Sequence, residues 1–465
     1  MSCSSNVTSG FVDLATYDEL EKYLYGGPHA TAYFVRETRK STWFTQVPVV
    51  LSRASGNPGF GTEWSVTISR AGDYLLSVWL RLTVSAVELT DALQVAGFGV
   101  RWTKNFMHNL IREVCLTFND LVACRIDNYF LDFWSAFTVP ASKAVGYNNM
   151  IGSYNELFSP KGNPAPASHT GLPSAVLNLP LPLFFTRDSG VALPTAALPY
   201  NDMRITLSFR DWTDLLIVEK TTAPAVGADN VRMATAADLK AVPTLTNVNV
   251  WGNYAIVSND ERKRMACAPR DILIEQVQTA PRQTFNPSRD ANPSYDIRFS
   301  HAIKVLFFGA RNTTRKNEWS NYTTASSVGH VNSVDFVTVG TYDPLATVSL
   351  VYENTQRLAA MGADYYSLVQ PWYHAPSIPE VTGYHMYSYS LDFFCLDPMG
   401  STNYGKLTNV SINPTASDAA ILASTGGFTD AESGADFAQS WEFLTVAVSN
   451  NIIRISGGAL GFPVL

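Results

Sequence analysis

The sequence predicts an all-β protein of two consecutive antiparallel β-sandwiches, with short helices confined to loops and an N-terminal helical arm. Three observations predict it. Apolar residues recur at every second position in short runs through both halves of the chain, the signature of strands buried on one face. Prolines crowd the stretch between Ser159 and Tyr200, which excludes helix and central strand there. At 465 residues the chain is longer than one ordinary core supports. Strands with one apolar face belong to antiparallel sheets packed in pairs, not to a parallel α/β sheet.

The elements follow in order. Residues 1–30 read as an arm. Thr16 and Glu19 have the spacing of a capping box, Leu20, Tyr23 and Leu24 recur at helical spacing, and Gly26, Gly27 and Pro28 end the helix. The first sandwich is expected over 31–218. Trp64, Val66 and Ile68 share one strand face, as do Leu76, Val78, Leu80, Leu82 and Val84 in the next run. In "CLTFNDLVAC", Asn119-Asp120 predicts a two-residue hairpin turn. That register sets Cys115 opposite Cys124, close enough for a disulfide, although a reducing compartment favours two thiols. Eight prolines (Pro160, Pro164, Pro166, Pro173, Pro180, Pro182, Pro194, Pro199) then mark a stiff loop-and-edge crossing. Such crossings are what jelly-roll and Greek-key topologies need before a closing strand. Here that strand carries Met203, Ile205, Leu207 and Phe209 inward.

Residues 219–244 read as the connection, with a helical turn near Ala236 to Lys240, and 245–465 as the second sandwich. Its strands include one with Val248, Val250, Tyr254 and Ile256 on one face, "HAIKVLFF" from His301 and "EFLTVAVS" from Glu442. "DERKRM" from Asp260 reads as a solvated turn or an ion-pair site, and the Ser/Thr-rich stretch Asn312 to Ser333 as an exposed loop.

Composition narrows the function. Charged residues are 16% of the chain and aromatic residues 12%, which suits a surface covered by further copies of the same chain. The net charge of -7 comes with no basic stripe, so direct nucleic-acid binding is not expected. Five scattered cysteines (Cys3, Cys115, Cys124, Cys267, Cys395) are no secreted disulfide framework. No signal peptide is read at the N-terminus, and no apolar run reaches 18 residues. Phosphate-loop, dinucleotide, GxSxG and HExxH patterns are missing. Hence no catalytic, cofactor-binding or metal-ligating set is assigned. The nearest metal-like grouping is His374, Glu380 and His385 in "YHAPSIPEVTGYH", where residue type and proximity alone make no site. Tyr384, Tyr387 and Tyr389 in "GYHMYSYS" allow a sugar-stacking platform but alternate as ordinary strand residues do. A carbohydrate-binding or glycoside-hydrolase sandwich therefore stays open as an alternative. Sequons stand at Asn6, Asn312, Asn321 and Asn409, with glycosylation not expected on a chain lacking a signal peptide.

Several segments, in order, resemble the major capsid proteins of nucleocytoplasmic large DNA viruses: "ISRAGDYLLSVWLRL", "LPLFFTRDSGVALPTAALPYNDMRITLSF", "WGNYAIVSNDERKRMA" and "DPMGSTNYGKLTNVSI". "TSGFVDLATYDELEKYLYGG", "RWTKNFMHNLIREVCLTFNDL", "SLVYENTQRL" and "NIIRISGGALGFPVL" are similar to the iridovirus branch. The resemblance implies a double jelly roll of two eight-stranded sandwiches without enzymatic activity. It also implies homotrimeric, pseudo-hexagonal capsomers that tile an icosahedral shell over an internal membrane and a double-stranded DNA core. The partners it implies are further copies of the chain, and minor capsid proteins or the membrane at the N-terminal arm. The place is the virion, with assembly in the host cytoplasm.

Overall fold

A computed structural model of the chain describes residues 3–154, 170–220, 231–325, 342–426 and 438–463. Prolines 160, 164 and 166 of the crossing lie outside these residues, as does 326–333 of the expected loop.

Alternation sets the first sandwich. In strand Met203–Phe209 the four apolar side chains are 0–1% exposed while Arg204 faces solvent. The strand pairs with Glu63–Thr67 on one side and Ile111–Phe118 on the other. It thus lies at the centre of a five-stranded sheet completed by Ser52–Ser55 and Leu121–Asp127. The second sheet runs Phe44–Val50, Leu245–Val257, Tyr74–Val84, Ala175–Pro180. Pro180 ends an edge strand, where its missing N–H costs no ladder bond. In Tyr74–Val84 a register shift beside Asn253 and Tyr254 turns Leu75 inward in place of the expected Leu76.

Strand Leu245–Val257, where the second sandwich is expected to begin, hydrogen-bonds along Phe44–Val50 and Tyr74–Val84 in the sheet of the first. Val250 and Tyr254 face the core, but Ile256 is exposed. The expected connection also holds more order than its composition suggested. Val231–Met233 pairs with Leu216–Lys220, and a 3-10 turn at Ala236–Asp238 is capped by Thr235.

The hairpin turn is where the sequence puts it, with Asn119 and Asp120 at φ 48° and 67°, the left-handed pair of a type I′ turn. The cysteine register is not. A bulge at Ala123 leaves Leu116 opposite Cys124 and Cys115 opposite Arg125. The two cysteines therefore project from opposite faces as free thiols.

The second sandwich opposes a seven-stranded sheet, built on Arg270–Thr279, Trp441–Ser456, Ala302–Asn312 and His385–Ser388, to a four-stranded one of Tyr295–Asp296, Val410–Ala416, Leu345–Tyr352 and Thr355–Gly362. Leu306, Phe308 and Phe443 meet Val348, Leu350 and Ile412 between them. The other face of the large sheet, with Val305, Phe307 and Val446, joins the core of the first sandwich. Ala302–Asn312 is accordingly buried from Ile303 onward.

The helices are short. Residues 1–43 form a unit of their own, with α1 (Cys3–Ala15) and α2 (Glu19–Leu24). The cap of α2 is Asp18, which accepts from Glu19 N, and not Thr16, whose hydroxyl donates to Asp13 O. Asp18 lies one residue before the helix, so its carboxylate reaches the first free N–H. The helix α1 is absent from the sequence reading because its Ser, Asn, Thr and Gly content is poor in helix formers. The remaining 44–465 form the second unit. Its loops carry α3 (Asp91–Val95), α4 (Phe106–Leu110), α5 (Asn128–Thr138) and α6 (Ala141–Ile151).

Candidate functional site: the junction of the two sandwiches

Three of the sequence motifs meet around Arg70, Gly72 and Asp73. The Arg70 guanidinium donates to the carbonyls of Leu198 and Asn201, tying down the end of the proline crossing. Gly72 lies so close to Tyr254 that an added Cβ would sit 2.7 Å from its Cβ. The Asp73 carboxylate accepts from Val257 N and from Arg262 at 2.7 and 3.1 Å. Arg262 belongs to "DERKRM", which is a helix, Asn259–Cys267, and not a turn. Its ion-pair role is the one the sequence allowed for. One short turn thus fixes the crossing, the strand after it and the entry to the second sandwich.

Deeper in, α5 joins the two sandwiches. Asp127 caps it by accepting from Phe130 N. Its aromatic side packs on the back of the large sheet: Phe137 stacks on Phe307 at 5.5 Å, and Trp134 meets Phe393 edge-on at 6.0 Å. From this apolar helix Asp132, 1% exposed, accepts hydrogen bonds from both halves of the chain. Oδ1 faces His108 Nδ1 at 2.8 Å and Asn105 Nδ2 at 3.1 Å. Oδ2 accepts from Ser320 Oγ at 2.7 Å and Tyr322 OH at 3.0 Å. The far nitrogen of His108 meets Tyr147 OH at 2.6 Å. The His108 ring thus bridges the Asp132 carboxylate and the Tyr147 hydroxyl. Burial raises the pKa of Tyr147 and Tyr322, so both remain O–H donors. Ser320 bonds Asp132 and Asn109, not His108. No nucleophile–base pair forms here.

Ion clusters repeat the pattern. Arg101 sits between Glu219 at 3.0 Å and Glu318. Burial pulls its pKa down, but the two carboxylates outweigh burial and hold it above the usual value. Glu275 joins Lys304 at 2.6 Å and Arg187. Trp319 lies between Arg210 and Arg311, each 3.9 Å from its ring.

Glu318, Trp319, Ser320 and Tyr322 all come from the stretch expected as an exposed loop. Within Asn312–Ala325 the backbone and side chains are mostly buried, because the segment is a strap laid against the first sandwich. Trp319 Nε1 donates to Asp214 O, and Asn317 Nδ2 to Leu216 O. The sequons at Asn312 and Asn321 are 2% exposed, with amides already donating to Ala325 O. Asn409 and Asn6 are exposed. The residues His374, Glu380 and His385 are not brought together: His374 bonds Leu391 O, and His385 is buried against Asp343. Among the described residues no three His, Cys, Asp or Glu side chains could share a metal ion. Tyr384 is buried, and Tyr389 shares its hydroxyl with Tyr352 and Tyr404 inside the second sandwich, so the three tyrosines make no open platform. Asp132 escaped the sequence reading, although one acid within "NYFLDFWSAF" was a usable signal. A carboxylate in an apolar helix needs buried partners.

Comparison with known proteins gives the arrangement its meaning. Residues 32–257 match the family model "Major capsid protein N-terminus" and residues 261–461 match "Large eukaryotic DNA virus major capsid protein". The chain belongs to this capsid protein family. The first match ends with strand Leu245–Val257, and the second begins at Glu261, within the helix that carries Arg262. The major capsid protein of Costelytra zealandica iridescent virus is 63% identical over 99% of both chains. That of Lymphocystis disease virus 1 is 52% identical over 99% of both. Among solved structures, the PBCV-1 virus capsid superposes with a TM-score of 0.70 at 20% identity, covering 93% of this chain and 100% of the other. The Faustovirus major capsid protein gives 0.69 at 13% identity, covering 94% of each. These likenesses show the fold, a double jelly roll. The chain is an iridovirus-type major capsid protein of the virion, structural and not enzymatic.

Proposed function

We propose that three copies associate into a pseudo-hexagonal capsomer, and that capsomers tile an icosahedral shell around an internal membrane and a double-stranded DNA genome. The observation that carries this reading is the shared core. Phe307 and Val446 of the second roll pack in one cluster with Phe133 and Phe137 of the first, so each chain presents two sandwiches as one rigid brick. Threefold association of a two-sandwich brick gives a near-sixfold outline that fills a hexagonal lattice. An obligate contact of this kind would bury roughly 2,000 Å² or more. Size-exclusion chromatography with mass detection, followed by negative-stain imaging, tests it. Trimers of hexagonal outline are expected; a stable monomer overturns the reading.

The arm suits attachment to a minor capsid protein or the membrane. Phe11, Leu14, Leu20 and Tyr23 are exposed within their own unit, which is costly unless a partner covers them. Residues 31–218 and the strand Leu245–Val257 would then act as the first roll, and 258–465 as the second, with assembly in the host cytoplasm. Removing residues 1–25 is expected to spare trimers and impair shell assembly. Normal assembly would end the attachment role.

A further inference from the structure

A groove of about 810 Å³ opens between α5, α6 and the edge strand Ala175–Pro180, beside the Asp132 junction, with which it shares Tyr147. Its volume falls in the range of small-molecule sites. The walls are Leu131, Trp134, Tyr147, Met150, Leu181 and Phe394. The polar groups on these walls are largely committed. Ser135 Oγ donates to Asp132 O, Thr138 Oγ1 to Trp134 O and Thr186 Oγ1 to Leu183 O, while Tyr147 OH meets His108. A polypeptide laid in the groove would bring N–H and C=O groups with few partners to meet them. A hydrocarbon chain brings none. Among the described residues the lining holds Lys143 and Arg187 and no carboxylate, in a chain with 40 acidic against 33 basic residues. Arg187 is occupied by Glu275. Lys143, at the exposed rim on the same face of α6 as Gly146, Tyr147 and Met150, is the cation offered to an incoming anion.

We propose that this groove binds a fatty-acid anion, its tail along Trp134, Met150 and Leu181 and its carboxylate at Lys143. The proposal does not depend on how the chain assembles, so the two readings fail separately. Isothermal titration of the full chain with octanoate, decanoate and dodecanoate tests it. Affinity should rise about four-fold per added methylene, as burial of about 0.8 kcal/mol each requires. Gly146→Leu should weaken dodecanoate binding by about ten-fold or more. An added Cβ at Gly146 meets nothing within 4 Å, so the side chain enters open space, and leucine favours the helix over glycine. Lys143→Met should remove the preference for dodecanoate over dodecanol while leaving the alcohol's affinity unchanged. Absent binding, affinity independent of chain length, or unaltered binding in Gly146→Leu would overturn the proposal. So would a Gly146→Leu chain that takes up dodecanoate normally but changes its subunit association, since the groove would then be a contact between copies.

Discussion

Strands Met203–Phe209 and Ala302–Asn312 occupy similar central places in their sheets, yet they are buried differently. In the first, apolar residues alternate with Arg204, Thr206 and Ser208, which reach partly or fully into solvent. In the second, everything from Ile303 to Asn312 is buried, including Lys304 at 0% exposure. The cause is position. The five-stranded sheet of the first roll packs on one side, whereas the large sheet of the second lies between its own core and the aromatic face of α5. Two rolls of one fold therefore differ in how many faces they bury. The doubly buried sheet turns two sandwiches into one body.

The comparison is broken or sharpened by substitution, most severely at Phe307. Phe307→Ala is expected to cost about 3–5 kcal/mol. Because this ring touches Phe133 and Phe137 of the first roll, denaturant unfolding should shift for both rolls as one transition. A shift confined to the second roll would show that the two cores are separable. Arg204→Ala, on the solvent side of the equivalent strand, should stay within about 0.5 kcal/mol.

Asp132→Asn comes next, at about 3 kcal/mol, since an amide nitrogen would replace an acceptor that now serves Ser320 and Tyr322 or His108. Hydrogen exchange should open the strap Asn312–Ala325 before either sheet. Unchanged protection there would remove Asp132 from the junction.

The smallest effect is a pH dependence in the connecting segment. Arg232, two hydrogen bonds from its guanidinium, and then Thr235 hold the Asp238 carboxyl down at about 2 against the opposing effect of burial. A depressed folded pKa stabilises above the unfolded carboxylate value and is lost as pH falls. The contribution should be full above about pH 4 and fade toward about pH 2. In Asp238→Asn that part of the acid-unfolding profile should flatten. Arg232 is 42% exposed, so salt should shrink the effect further.

Much of this architecture was legible in the residues. Val114, Leu116 and Phe118, and Met203 to Phe209, declare their buried face by alternation alone. Asn119-Asp120 declares its turn because few residue pairs adopt two left-handed conformations in succession. The bulge at Ala123 was not legible, and one extra residue was enough to move Cys124 away from Cys115. The strap was misread for a related reason. Asn317, Ser320 and Thr323 look solvated by type, but their polar atoms are satisfied by Leu216, Asp132 and Asn321 in the folded chain.

By itself, the sequence determined the all-β class, the tandem sandwiches and the family, because period, turn chemistry and motif order are local properties of a chain. Tertiary structure alone decided where strand Leu245–Val257 pairs, that Asp132 binds both rolls and that one sheet is buried twice. Those outcomes depend on which surfaces meet across long separations in sequence. A polar residue buried with a partner reads the same, in one dimension, as a polar residue in water.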